Sequence, residues 1–170
     1  CARFDSKDET LKRYAKLNSI DFLKYKNVNS EEFISIVSKY KCDLFVSMSF
    51  NQIFKSKIIN LPKYKTINCH AGKLPFYRGR NILNWVLIND EKEFGITVHF
   101  VDEGIDTGDI ISQKSFKITD QDNYETLLKK AYVECANILY DAILMFKNKN
   151  VNTLKQNKVH PIGSYYYKRK

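Results

Sequence analysis

The sequence predicts an α/β fold in which a mostly parallel sheet is flanked by helices. Three features carry that prediction. Short apolar, β-rich runs lie at residues 43–48 and 65–70, as in buried parallel strands. A helical stretch at 54–61 separates them, which gives a strand, helix, strand rhythm. Between 122 and 146 the apolar residues Leu127, Leu128, Ala131, Tyr132, Cys135, Ile138, Leu139, Ala142, Ile143 and Phe146 recur at i, i+3 and i+4, the stripe of a long helix lying on a sheet.

The remaining elements follow in order. Residues 11–17 carry a weak helical pattern, and 21–28 hold a short strand. Asn29 followed by Glu32 reads as a capping box opening a helix over about 30–40, with Phe33, Ile34, Val37 and Tyr40 on its apolar face. Residues 82–88 read as helix, while 95–101 and 110–118 alternate as strands do. The domain therefore runs over 1–147. Residues 148–170 form a polar and then aromatic C-terminal extension, turned by Pro161 and Gly163. The opening residues Cys1 to Phe4 read as the end of a strand already in progress.

At 170 residues, 44% hydrophobic and 14% aromatic, the chain is long enough to bury one core. No apolar run approaches the roughly 20 residues of a membrane span, and no signal segment opens the chain. Cys1, Cys42, Cys69 and Cys135 form no C-x-x-C pair, so neither a disulfide framework nor structural zinc is expected and a reducing cytoplasm is. The net charge of +9 comes mostly from lysines scattered through every segment, which favours a solvated surface over a nucleic-acid stripe. That field still draws anionic small molecules. Of the five arginines, Arg78 and Arg80 share one motif, where a planar guanidinium suits phosphate or carboxylate.

Alternation along a strand points Asn68 and His70 the same way and Cys69 the opposite way, which argues against Cys69 as a nucleophile serving His70. Open α/β sheets bind ligands at the carboxyl ends of their strands. Pro75 and Gly79 shape the loop that carries Arg78 and Arg80 out from that end. The acidic loop at 102–109 does not fit an EF-hand: counting from Asp102, the sixth and twelfth positions are Thr107 and Gln113 rather than Gly and Glu. His70, His99 and His160 lack metal-ligand spacing. The chain has no G-x-S-x-G elbow, no phosphate-binding P-loop and no G-x-G-x-x-G.

Asn68-Cys69-His70, Leu74-Pro75-Phe76-Tyr77-Arg78-Gly79 and the run from Asp102 to Asp109 match N-x-H, L-P-x-Y-R-G and D-x-G-x-D-x-G-D. With Asp106 placed 36 residues after His70, the chain resembles the folate-dependent formyltransferases over about residues 43–146. The resemblance implies their Rossmann-like fold, with the first βα unit preceding Cys1. It also implies 10-formyltetrahydrofolate as formyl donor and Asn68, His70 and Asp106 as the catalytic trio. The pterin is then expected against Asp102, Glu103, Gly104, Ile105 and Asp106 and against Gln52, Ile53 and Phe54. Arg80 lies where family members meet ligand, and Arg78 and Arg80 are the expected substrate-binding residues.

Formyl-transfer chemistry agrees with these residue types. An amine attacking a formyl carbon builds an oxyanion, which Asn68 and a protonated His70 can stabilise, while Asp106 favours the imidazolium and accepts the amine proton. The run from Tyr77 to Trp85 and the tail from Gly163 to Arg169 look most like the branch acting on nucleotide-linked amino sugars, with tail aromatics able to stack on a base. Methionyl-tRNA and phosphoribosylglycinamide are the other acceptors within the family. Expected partners are therefore small molecules, with nucleic acid only if the acceptor is tRNA; a homodimer stays open. Two other readings remain, an inactive folate-binding fragment and a basic RNA-binding module.

Overall fold

The computed structural model describes residues 1–169. In chain order the elements are β1 (Ala2–Arg3), α1 (Thr10–Leu17), β2 (Lys24–Tyr25), α2 (Glu31–Ser38), β3 (Phe45–Met48), α3 (Ser56–Ile59), β4 (Thr66–His70), β5 (Arg78–Gly79), α4 (Ile82–Ile88), β6 (Glu93–Phe100), β7 (Ile110–Lys117), α5 (Tyr124–Lys147), α6 (Gln156–Val159) and β8 (Tyr165–Tyr166). Among these residues no helix is long and apolar enough to cross a membrane.

The main sheet has the order β3-β4-β6-β7. β3 runs parallel to β4, whereas β4–β6 and β6–β7 are antiparallel. β1 pairs with β2, and β5 with β8, both in parallel. Three of the five pairings are thus parallel, β3–β4 among them as the two β-rich runs separated by a helix predict. The antiparallel pair β6–β7 follows from its nine-residue connection, too short for the crossover a parallel pair requires.

α5 covers one face of this sheet with Leu127, Ala131, Cys135, Ile138, Ala142 and Phe146 buried, packing on Ile67, Cys69, Ile96 and Val98. Its start is fixed by a reciprocal box: the Asn123 side chain accepts from the Thr126 amide, and the Thr126 hydroxyl accepts from the Asn123 amide. A smaller cluster of Val28, Phe33, Ile34 and Ile58 seats α2 and α3. The cap of α2 corrects the sequence reading. Ser30 takes that role, its hydroxyl accepting from the Phe33 amide at 3.2 Å. Asn29 instead reaches across to the Ile53 carbonyl and the Lys55 amide. Its long-range partners outcompete local capping, and the Glu three residues beyond it belongs to no box.

The chain end returns to the middle of the molecule. The β5–β8 pairing lays the tail along the Arg78–Gly79 segment, Tyr166 stacks on Tyr77 with ring centroids 4.8 Å apart, and Ser164 accepts from the Tyr77 amide.

Candidate functional site

β4 is an interior strand whose Ile67 and Cys69 point into the α5 core. Alternation therefore turns Asn68 and His70 to the opposite face. The Cys69 thiol points at the Cys135 carbonyl, 3.7 Å away, and its pKa is pushed up by the neighbouring Cys135 thiol and by burial, so it carries no thiolate for catalysis.

Asp106 reaches this face from the loop after β6. Its backbone is left-handed, φ 55°, in a turn closed by Asp102, whose carboxylate accepts from the Gly104 amide and the Thr107 hydroxyl. Gly108 is required there: a Cβ would stand 1.9 Å from the Phe100 carbonyl oxygen. Oδ2 of Asp106 accepts from the Gly79 amide at 3.0 Å and lies 3.6 Å from Nδ1 of His70. Oδ1 is 3.5 Å from both Nδ2 of Asn68 and Nε2 of His99. Gly79 has φ 102°, and a Cβ on it would meet the Tyr166 carbonyl at 2.1 Å, so only glycine presents this amide to the carboxylate.

These contacts set the charges. Burial alone would raise the Asp106 pKa, but the His99 contact, the His70 ring, which is cationic in the acid range where this carboxyl titrates, and the Gly79 amide outweigh it and hold the value at about 2. At His70 burial wins: it lowers the pKa from 6.5 against the opposing pull of Asp106 and the Tyr77 carbonyl. Nε2 of His70 lies 2.7 Å from the Tyr77 carbonyl, which can only accept, so Nε2 holds the proton. Nδ1 then faces Asp106 as a lone pair, and the 3.6 Å gap suits two acceptors. Burial thus disfavours the imidazolium at rest, against the protonated imidazole expected from sequence, and the Asp106 carboxylate does not offset it.

His99 is the site residue that sequence reasoning passed over. It pairs with Asn68 across β4 and β6. Its Nδ1 donates to the Phe100 carbonyl at 2.7 Å, leaving Nε2 to accept from Asn68 Nδ2 at 3.2 Å. One Asn68 hydrogen is thereby committed. The other points toward Asp106 at the 3.5 Å limit of a hydrogen bond, so it is weakly engaged and available to a better-placed acceptor. Gln156 is a second unforeseen neighbour, donating to the Asp106 and Gly108 carbonyls.

The other predicted residues are dispersed around this centre. Arg78 is turned inward, with Nε and Nη2 on the Gln156 carbonyl and Nη1 on the Ile162 carbonyl. Arg80 is exposed, its amide bonded to the Tyr166 carbonyl. The Gln52 side chain bridges the Val28 amide and the Tyr25 carbonyl. Phe54 stacks on Phe50, whereas Ile53 is 60% exposed. Glu103 accepts from the Ser56 amide, and Ile105 is exposed. Asp102, Glu103 and Gly104 line a cavity of about 1140 Å³ together with Ile59, Phe100 and Val101. Neither the trio nor the 52–54 segment lines that cavity.

An amide, an imidazole and an ionised carboxylate grouped at the end of an interior α/β strand make a centre suited to group transfer. The chain belongs to the formyl transferase family, whose model matches residues 4–143. It is 37% identical over 128 residues to a methionyl-tRNA formyltransferase of Prochlorococcus marinus (strain MIT 9515), covering 74% of this chain and 39% of that protein. WlaRD, a sugar 3N-formyl transferase solved in the presence of dTDP and 5-N-formyl-THF, superposes with a TM-score of 0.75 at 26% identity, covering 98% of this chain and 58% of that one. An N-formyltransferase from Helicobacter canadensis, solved with folinic acid and dTDP-3-aminofucose, gives a TM-score of 0.72 at 27% identity, covering 96% and 56%. The chain thus spans less than two thirds of the length of each.

Proposed function

We propose that this chain transfers a formyl group from 10-formyltetrahydrofolate to a primary amine, and that the acceptor is the amino group of a nucleotide-linked amino sugar. The observation that carries the reading is the convergence on Asp106, whose carboxylate meets the Gly79 amide, both imidazoles and the Asn68 amide within 3.0–3.6 Å.

A folate donor is supported by the solved relatives that hold one, WlaRD with 5-N-formyl-THF and the Helicobacter canadensis N-formyltransferase with folinic acid. Bound 10-formyltetrahydrofolate supplies an activated formyl carbon. The second N–H of Asn68, only weakly engaged by Asp106, would donate to the charge that builds on the formyl oxygen, as an oxyanion donor does. Neutral His70 takes the proton of the attacking amine at Nδ1, the nitrogen its Tyr77 bond leaves free. Asp106, ionised throughout, then sits against an imidazolium and stabilises it. Because Nε2 is anchored on a main-chain carbonyl, the ring would take that proton and return it, without turning, to the N10 nitrogen that departs as the N10–formyl bond breaks, leaving tetrahydrofolate.

The sugar acceptor is supported by the two solved sugar formyltransferases, each superposing on more than nine tenths of this chain. In the tail, Tyr166 is committed to Tyr77, and the exposed Tyr167 is the ring available to stack on a base. Tyr165 meets Tyr167 edge-on. The free cysteines accord with a reducing cytoplasm as the compartment. The second reading is methionyl-tRNA as acceptor, favoured by the 37% identity to that relative. Incubation with 10-formyltetrahydrofolate and, separately, nucleotide-linked amino sugars and methionyl-tRNA decides between them. Formylation of a sugar is expected, and formylation of tRNA alone would overturn the choice.

A further inference from the structure

Gln156 lies 50 residues beyond Asp106, on the first turn of α6, yet it is only 3% exposed and all four of its hydrogen-bonding positions are filled. Nε2 donates to the Asp106 carbonyl at 2.8 Å and to the Gly108 carbonyl at 2.7 Å. Oε1 accepts from Arg78 Nε at 3.0 Å and Nη2 at 2.7 Å. Two residues earlier, Leu154 exchanges both backbone bonds with Ile110, so the strap carrying Gln156 is fixed to the far end of the same loop.

The bonded carbonyl belongs to a strained residue. Asp106 has φ 55°, a left-handed conformation that costs a residue with a Cβ about 1 kcal/mol or more and persists only where its surroundings hold it. Its carboxylate is held by Gly79, and its main chain is held by Gln156. Through the same side chain Arg78 is tied to the loop.

We propose that Gln156 is a positioning residue for the reaction: it captures the Asp106 and Gly108 carbonyls, keeps Asp106 left-handed, and so aims its carboxylate between His70 and His99. The inference rests on the formyl-transfer reading of the site. Arg78 acts in it as an anchor that orients the Gln156 amide, so that the carbonyl end faces the guanidinium and the NH₂ end faces the loop.

Two variants test this in the full chain. Gln156→Glu keeps an acceptor for Arg78 but removes both donors, and Gln156→Met removes donors and acceptor without adding charge. Both are expected to lower kcat at least tenfold with KM for the amine acceptor changed less than threefold. In Gln156→Met the Asp106 carboxyl, followed by ¹³C NMR beside wild type, is expected to titrate at higher pH than in wild type, since burial then acts against a less well-aimed carboxylate. If folded Gln156→Glu keeps wild-type kcat, or Asp106 titrates in Gln156→Met as in wild type, the inference is overturned. Should the wild-type chain transfer no formyl group, the functional reading falls, and the carboxyl titration still decides whether Gln156 positions Asp106.

Discussion

Asn68 and His99 face each other on neighbouring strands, the Asn68 amide nitrogen 3.2 Å from Nε2 of His99. Because His99 gives its one ring N–H, at Nδ1, to the Phe100 carbonyl, Nε2 is an acceptor and fixes which end of the Asn68 amide points into the site. In the proposed reaction this holds the donor end ready for the formyl oxygen, the preorganisation that oxyanion stabilisation needs.

Replacing Asn68 with Ala removes that donor. Turnover should fall about 10²- to 10³-fold, the usual size for one oxyanion donor. Steady-state kinetics check this, and a folded Asn68→Ala enzyme with wild-type kcat contradicts the assigned role.

His70 should titrate below 6.5, because burial disfavours its cation more than Asp106 favours it. A base of lowered pKa is in its working, neutral form at pH 7 and loses that form only as pH falls through the shifted value. Asp106→Asn removes the raising influence and should move the midpoint lower still. ¹⁵N NMR of the imidazole reads both, and a midpoint above 6.5 in wild type would show that the ion pair prevails over burial.

Asp106 has the opposite charge but the same direction of shift, from 3.8 down to about 2. The unfolded chain therefore binds more protons than the folded one in that window, and stability declines as pH falls from about 4 to about 2. The contribution above that window is about 2 kcal/mol. Denaturant unfolding against pH should show it in wild type and lose it in Asp106→Asn; parallel curves for the two proteins would refute it.

The shared face of Asn68 and His70 was legible from spacing, whereas Asp106 joined them only through the family resemblance. Asn68 and His70 are two apart on one strand, and the period of two places them on the same face without knowledge of the sheet. The ends of α4 and the body of α5 were equally readable, since apolar periodicity reports directly on which face is buried. His99 was not legible, because facing Asn68 depends on the register between β4 and β6, a property of the pair. Gln156 was hidden for a related reason: a polar residue in a polar tail gives no local sign that it folds back into a catalytic loop. The charge on His70 depended on the depth of its burial, which spacing does not report.

Cys69 tests the separation of the two faces of β4. With its thiol against Cys135 in the α5 core, Cys69→Ala should leave kcat within about twofold and cost about 1 kcal/mol of stability, as small core truncations do. A folded variant that had lost activity would place the thiol in the chemistry after all.

The central claim is that Asn68, His70 and Asp106 act on one formyl carbon. The most direct measurement follows transfer of an isotopically labelled formyl group from 10-formyltetrahydrofolate to a panel of nucleotide-linked amino sugars, with wild type and folded Asp106→Asn compared side by side. Labelled product from wild type alone is the predicted result. Equal labelling by both proteins, or by neither across all acceptors, would contradict the claim.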